Sequence, residues 1–185
     1  MNAAELQARR EIVAVSQALD AAGLVPNKSG NVSCRGPQGF LITPAGVPYR
    51  DLSAEQIVPL ALDRAPEPGG LRPSSEWRMH AAIYARRPEV SAIVHTHSPR
   101  ATALACAGRG IPPFHYMIAL AGGDVRCMPY ATFGTAELAE SAVRGLEGRR
   151  ATLLANHGVI AVGSTLNAAH AVAIEVENLA REYLL

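Results

Sequence analysis

The sequence predicts an α/β fold with one domain over residues 1–185, in which helices flank a central mixed or antiparallel β-sheet in three layers. Helical and strand-like segments alternate along the chain, and several strand-like segments are joined by connections too short for a helical crossover. A length of 185 residues, 49% of them hydrophobic, without a Gly/Ser linker or internal repeat, suits one domain with its own core.

The N-terminal part of the sequence predicts a helix followed by three strands. Ile12, Val15 and Leu19 recur at three- and four-residue spacing, and Gly23 follows as a C-cap, which is typical of an amphipathic helix. Short apolar segments broken by glycine and proline then indicate strands joined by turns, at residues 31–35, 40–43 and 57–62.

The alternation of helices and strands continues to the end of the sequence. Ser74 and Ser75 precede residues 76–84, a segment typical of a hydroxyl-capped helix that ends near Pro88. Thr135 is placed to cap another helix. By the same criteria we expect strands at residues 91–95, 125–130, 151–154 and 159–162, and helices at residues 101–107 and from residue 164 onward.

The composition excludes several classes of function. Seventeen basic and sixteen acidic residues give a net charge of +1, and the basic residues are scattered, which argues against a nucleic-acid partner. The first ten residues are polar and charged, and no segment approaches the roughly 18 apolar residues of a membrane span. We therefore expect a cytoplasmic protein without a membrane partner. An odd number of cysteines without a Cys-x-x-Cys pair favours buried reduced thiols at Cys34, Cys106 and Cys127.

Three histidines are candidates for a metal site. His95 and His97 follow an apolar segment, and residues i and i+2 of a strand project from the same face. Such a pair is more often structural. His157, however, ends a second strand-like segment beside Gly158, where the backbone can bend and let its ring approach the first strand. Three imidazoles with one open position are typical of catalytic zinc.

Glu76 and its neighbours are candidates for acid–base chemistry and anion binding. Glu76 stands at the predicted helix start, where the helix dipole favours a carboxylate in any case, and near a metal it could act as a base. Ser74 and Ser75, with free amides at the same helix start, could hold a phosphate, although one of them would suffice as a cap. The loop Lys28-Ser29-Gly30-Asn31 permits close backbone approach to an anion or is an ordinary turn.

These segments, in this order, resemble the class II aldolase and adducin-head family over nearly the whole chain, most closely its fuculose aldolase branch. The segments that carry the resemblance are Gly30-Asn31-Val32-Ser33, Leu41-Ile42-Thr43-Pro44, Ser74-Ser75-Glu76-Trp77-Arg78, His95-Thr96-His97, His115-Tyr116-Met117-Ile118, Pro129-Tyr130-Ala131-Thr132-Phe133-Gly134-Thr135 and Asn156-His157-Gly158.

The resemblance implies a role for each candidate residue. His95, His97 and His157 would bind one Zn²⁺ per subunit, and Glu76 would be the catalytic acid/base and, in the empty site, a fourth ligand. The substrate phosphate would be held by Gly30, Asn31, Ser74 and Ser75, and by the loop positions Lys28, Ala45 and Gly46. Tyr116 would act as a proton donor in a neighbouring subunit's site, and Phe133 would line the aldehyde side.

Two departures from the family pattern concern the substrate. Lys28 and Ala45 stand where the fuculose aldolase has threonine in its two phosphate loops. Family members commonly continue with a tail whose aromatic residue helps to close the neighbouring site, and the sequence ends at Leu185. His80, one turn after Glu76, is a candidate for orienting that carboxylate, or for packing at a subunit boundary.

The implied activity is cleavage of a ketose 1-phosphate, such as L-fuculose 1-phosphate, to dihydroxyacetone phosphate and a short aldehyde such as lactaldehyde. A homotetramer with shared active sites is implied as well. Alternatives are an aldolase or dehydratase acting on 5-deoxy- or methylthio-pentulose 1-phosphates, and a pentulose-phosphate 4-epimerase, which generally carries aspartate where this chain has Glu76. A non-catalytic adducin-like scaffold needs no metal, and the intact histidine set argues against it.

Overall fold

Helices and strands alternate in the computed structural model, which describes residues 2–66 and 69–185. Within these residues the α-helices are α1 (Ala3–Ala21), α2 (Trp77–Arg86), α3 (Pro99–Cys106), α4 (Ala136–Gly145) and α5 (Leu166–Leu184). The strands are β1 (Asn31–Gly36), β2 (Gly39–Ile42), β3 (Val58–Leu60), β4 (Ala92–Thr96), β5 (Arg126–Met128), β6 (Ala151–Leu154) and β7 (Gly158–Gly163). None of the helices in the described part is long and apolar enough to cross a bilayer.

The strands form one seven-stranded sheet in the order β3-β2-β1-β4-β7-β6-β5. The β5–β6 pair is parallel and the other neighbouring pairs are antiparallel, so the expected mixed, mainly antiparallel sheet is confirmed. Strand β4 lies in the centre between β1 and β7, where Asn31 faces His95 across one ladder and Ile160 faces His95 across the other.

The two faces of the sheet bury different helices, because alternate residues of a strand point to opposite sides. On β4, Ala92 and Val94 join the core formed with α1, α3 and α5, whereas Ile93 joins the core formed with α2 and α4. His95 continues the series of Ile93, so this histidine points to the side of α2 and α4. Asn31 and Ser33 alternate with Val32 of the first core and lie on that same side.

The structure corrects several details of the sequence-based expectations. The helix after the paired serines begins at Trp77 with Glu76 at the cap position, and no side chain caps it; the Ser74 hydroxyl accepts a bond from the Glu76 amide at 3.3 Å instead. The third strand covers only Val58–Leu60, the three residues that pair with β2. Thr135 caps α4 as expected, accepting from the Leu138 amide at 3.2 Å.

The cysteines are free, but their environments differ. Cys34 is buried in β1, Cys127 is partly buried, and Cys106 is exposed at the end of α3. The expectation of three buried thiols is therefore wrong for Cys106, which the helix places on its solvent side. Burial raises the pKa of the Cys34 thiol to about 12, so this thiol stays protonated.

Candidate active site

Four side chains from three elements converge at one edge of the central strands. His95 ends β4 and His97 follows it on the same face, His157 stands in the turn that leads into β7, and Glu76 precedes α2. One ligand atom from each of the four residues lies within 4.8 Å of the ligand atoms of the others. The convergence expected from the sequence is therefore present.

The distances in this cluster suit a tetrahedral metal ion. Nε2 of His95 lies 2.9 Å from Oε2 of Glu76, Nε2 of His157 lies 3.2 Å from Oε1, and Nε2 of His97 lies 3.1 Å from Nε2 of His95. Donor atoms around a tetrahedral zinc ion lie roughly 3.3–3.6 Å apart, given zinc–ligand bonds of about 2.0–2.2 Å. Apart from this 3.2 Å contact with His157, the buried Oε1 of Glu76 has no hydrogen-bond partner in the described chain, as expected of an atom that ligates a metal.

A backbone contact orients the most deeply buried ligand. The Nδ1–H of His95 donates to the Val159 carbonyl at 2.8 Å across the β4–β7 ladder, which leaves Nε2 directed at the cluster. Metal-binding histidines usually hold their second nitrogen in this way. The antiparallel pairing of β4 with β7 thus fixes both the position and the tautomer of His95.

Glycine makes room for the three rings, whose centroids are each 4.9 Å from the other two. A Cβ on Gly158 would lie 2.4 Å from the Thr96 carbonyl oxygen and 3.0 Å from Cδ2 of His97. On the other side of β4, Gly30 has φ +80° and a Cβ there would lie 2.4 Å from the His95 carbonyl oxygen. Neither position tolerates a side chain without moving the histidine strand.

The electrostatics of the cluster favour metal ligation. Burial alone would raise the pKa of Glu76, but the charges and hydrogen bonds of His95 and His157 outweigh it and hold the pKa of Glu76 below its usual range. Burial and the neighbouring histidines lower the pKa of His97 to about 3, so its ring is neutral and free to ligate. A metal ion would take the place of the proton that the Glu76–His95 pair shares.

A cavity of about 450 Å³ opens above the cluster. Glu76, His97 and His157 form part of its wall, while His95 is fully buried behind them. Each residue proposed from the sequence to hold a phosphate also lines this cavity, namely Lys28, Gly30, Asn31, Ala45, Gly46, Ser74 and Ser75.

Backbone hydrogen bonds hold the three loops of the cavity together. The Ala45 amide donates to the Arg72 carbonyl at 2.9 Å, and the Ser74 amide donates to the Thr43 carbonyl at 3.0 Å. The Tyr49 hydroxyl donates to the Gly30 carbonyl at 2.8 Å and ties the first loop to the same assembly. Small residues and two serines therefore surround one end of the cavity, beside the start of α2.

The two aromatic candidates lie in different places. Phe133 lines the cavity and is 65% exposed. Tyr116 begins a 3₁₀ turn, is 79% exposed and is not among the described residues that line the cavity. Tyr116 is therefore not buried within its own chain.

Five cavity residues had no role assigned from the sequence, namely Ser29, Pro44, Tyr130, Ala131 and Asn156. The Ser29 hydroxyl is buried without a hydrogen-bond partner in the described residues, and the Tyr130 ring is exposed at the rim. Asn156 adopts φ +56°, a conformation for which asparagine is enriched. Each lies within three residues of one already identified, so proximity in sequence was the available signal.

Comparison with known proteins agrees with this geometry. The profile of the family described as "Class II Aldolase and Adducin N-terminal domain" matches residues 10–184. A 5-methylthioribulose-1-phosphate/5-deoxyribulose-1-phosphate aldolase of Rhodospirillum rubrum is 49% identical over 185 residues, 99% of this chain and 83% of the relative. An L-fuculose phosphate aldolase of Escherichia coli is 47% identical over 176 residues, 95% of this chain and 81% of the relative.

Solved structures give the same result for the fold. A structure of an L-fuculose 1-phosphate aldolase superposes with a TM-score of 0.92 at 39% identity, covering 96% of this chain and 85% of the other. The L-fuculose-1-phosphate aldolase of Thermus thermophilus superposes with a TM-score of 0.86 at 30% identity, covering 98% and 93%. Sequence, fold and site thus agree, and this chain belongs to the class II aldolase and adducin N-terminal domain family.

Proposed function

We propose that this chain is a metal-dependent aldolase that cleaves a ketose 1-phosphate to dihydroxyacetone phosphate and a short aldehyde. The observation that carries the proposal is the position of the Glu76 carboxylate, which lies among three imidazoles at the wall of a cavity with small-residue loops at one end. A base, a metal site and an anion pocket are the parts that this reaction needs. The proposed unit is one domain of residues 1–185 in the cytoplasm.

Zinc is the metal that the donor set supports, with one ion per chain. Three imidazoles and one carboxylate suit Zn²⁺ better than Mg²⁺ or Ca²⁺, which prefer all-oxygen sites. When bound, such an ion acts as a Lewis acid toward the carbonyl and an adjacent hydroxyl of the substrate. An adducin-like scaffold would need none of these four residues.

Glu76 is proposed to move the proton at the nucleophilic carbon. In cleavage, the bond between C3 and C4 of the ketose breaks, and its electron pair remains on the dihydroxyacetone phosphate fragment. Glu76 then delivers a proton to C3, and in the reverse direction removes it. The carboxylate is suited to both directions because it is buried yet lines the cavity.

The phosphate is proposed to bind at the end of the cavity beside α2. The N-terminus of this ten-residue helix favours an anion, and Ser74 and Ser75 add hydroxyl groups there. Lys28 contributes the positive charge that a threonine in this loop would not supply. Ala45 and Gly46 leave space for the phosphate oxygens rather than donating side-chain hydrogen bonds.

Tyr116 is proposed to complete the site of a neighbouring subunit in a homotetramer. The hydroxyl at C4 must lose its proton when it becomes the aldehyde, and a phenol opposite the metal can relay it, accepting this proton as it passes its own to water. What supports a role across a boundary is the large exposure of Tyr116 together with its absence from the described lining of its own cavity. Phe133, at the rim, is proposed to contact the aldehyde.

The identity of the aldehyde separates the candidate substrates. L-Fuculose 1-phosphate and 5-deoxy- or 5-methylthioribulose 1-phosphate share the dihydroxyacetone phosphate half, which Glu76 and the loops would recognise. The relative from Rhodospirillum rubrum, named for the methylthio and deoxy substrates, is 49% identical and supports these as the second candidates.

The test is a coupled assay of dihydroxyacetone phosphate release from these three ketose 1-phosphates. Zinc-loaded, metal-depleted and zinc-restored protein would be compared, with Glu76→Gln as the inactive control. We expect release that disappears with the metal and returns with zinc. Epimerisation of a pentulose phosphate, or loss of water without cleavage, would establish one of the alternative reactions; no turnover by zinc-loaded protein would overturn the proposal.

A further inference from the structure

A chain of buried hydrogen bonds leads from helix α2 to the Glu76 carboxylate. The Tyr84 hydroxyl lies 2.8 Å from Oγ of Ser33, which lies 2.7 Å from Nδ1 of His80. Nε2 of His80 is hydrogen-bonded to Oδ1 of Asn31, whose Nδ2 donates to Oε2 of Glu76 at 3.1 Å. Of these five groups, the reaction proposed above uses only the last two.

Regular secondary structure places the residues of this hydrogen-bonded series opposite each other. Asn31 and Ser33 are alternate residues of β1 and share its α2 face, while His80 and Tyr84 are one helical turn apart on α2. All four are at most 2% exposed, so water does not compete for their hydrogen bonds. Such a buried polar network is stable only when each member is satisfied.

The positions of the protons in this series of hydrogen bonds follow from Glu76, its last group. A carboxylate held by two imidazoles only accepts hydrogen bonds, so the amide nitrogen of Asn31, not its oxygen, faces Glu76. The amide oxygen then faces His80, whose Nε2 must carry the hydrogen. Nδ1 of His80 accepts from Ser33, which in turn accepts from Tyr84. One direction therefore satisfies every group.

We infer that His80 is a positioning residue: as the Nε2–H tautomer, with Ser33 as the partner of Nδ1, it holds the Asn31 amide with its N–H groups toward Glu76 and the cavity. The inference rests on the proposed role of Glu76 as the base. An amide can rotate by half a turn at little cost in shape, and the rotated form would direct Oδ1 at the carboxylate and displace it. His80 prevents this rotation because only the present orientation pairs both ends of the amide.

The environment of His80 keeps the ring in the required form. Burial lowers the pKa of His80 to about 3, because the ring is removed from water and its two hydrogen-bond partners, Ser33 and Asn31, are uncharged. A protonated ring would also donate from Nδ1, and Ser33 would have to reverse its hydroxyl. The ring therefore stays neutral at pH values well above 3, and the network keeps one direction there.

The test compares Ser33→Ala with Ser16→Ala, a matched control. Ser16 is also fully buried, and its hydroxyl donates one hydrogen bond, as that of Ser33 does to His80; the acceptor is the Ile12 carbonyl at 2.8 Å on α1, away from the site. Deuterium exchange into dihydroxyacetone phosphate measures the rate of proton transfer by Glu76. ¹⁵N spectra of the histidine rings identify the tautomer of His80. In the wild type we expect His80 to be the Nε2–H tautomer. In Ser33→Ala we expect a mixture of the two His80 tautomers. Deuterium exchange in this variant should be about three- to tenfold slower than in Ser16→Ala, as for one lost hydrogen bond.

A second pair of variants separates positioning from packing. His80→Gln keeps an N–H that can reach Asn31, and His80→Leu fills the space without a donor. We expect exchange to be retained in His80→Gln and lost in His80→Leu at equal zinc content. If His80→Leu does not fold, the Ser33→Ala comparison and the ring spectra still decide the question.

Each remaining outcome has one meaning. Wild-type His80 in the Nδ1–H tautomer, or equal exchange rates in Ser33→Ala and Ser16→Ala, would overturn the inference while leaving the aldolase proposal intact. No exchange in zinc-loaded wild type would instead overturn the proposed function, whatever the tautomer of His80.

Discussion

Replacing Gly158 by alanine should weaken the metal site although position 158 carries no ligand. The added Cβ would lie 2.4 Å from the Thr96 carbonyl oxygen, 3.0 Å from Cδ2 of His97 and 3.3 Å from Cε1 of His95. Carbon–oxygen contacts in proteins are ordinarily about 1 Å longer than the first of these distances. Because the closest atom belongs to the backbone of β4, the strand itself has to move.

Gly158→Ala should lower both the stability of the fold and the affinity for zinc. Forcing one methyl group into a packed interior costs roughly 1–3 kcal/mol of unfolding free energy. For a chain of this size that corresponds to a fall in Tm of roughly 2–12 °C. Displacing His95 and His97 together should also weaken zinc binding by about 10- to 100-fold, the range found when a residue supporting a ligand is changed.

Thermal unfolding of the metal-free protein and zinc competition against a chromophoric chelator would measure the two effects separately. Gly70→Ala is the matched control, since a Cβ at Gly70 meets nothing within 4 Å. It should leave both quantities nearly unchanged. If Gly158→Ala binds zinc and unfolds as Gly70→Ala does, the argument that this glycine admits the rings is wrong.

Four further substitutions test the remaining parts of the site. His97→Ala should reduce zinc from about one ion per chain to a small fraction by elemental analysis, because it removes one of four ligands; full activity in the metal-free variant would refute the metal mechanism. Glu76→Gln should slow deuterium exchange at the nucleophilic carbon by roughly 10²-fold or more, and a wild-type rate would assign the base elsewhere. Ser75→Ala should raise KM for phosphorylated ketoses more than for unphosphorylated analogues; equal effects would argue against this phosphate pocket. Tyr116→Phe should block cleavage but retain exchange, and mixing it with Glu76→Gln subunits should restore activity if sites are shared; no recovery in verified mixed oligomers would place Tyr116 outside a shared site.

The sequence by itself determined the local features of this protein. Side chains alternate between the two faces of a strand, so His95 and His97 share a face whatever surrounds them. Glycine at positions 30 and 158 indicated that other groups approach the backbone closely there. Thr135 marked a helix start because its hydroxyl can cap only a nearby amide. These properties depend on residues within a few positions of one another, and they are therefore readable in order along the chain.

Only the tertiary structure decided which distant residues meet. The ladder between β4 and β7 joins His95 to Val159, and β1 against α2 joins Ser33 to His80; neither pairing follows from spacing, since many registers would satisfy the same apolar pattern. Exposure of Tyr116 and Cys106 likewise depends on which surfaces the fold leaves uncovered. Hydrophobic periodicity specifies that a face is buried, but the partner that buries it is selected by packing over the whole chain.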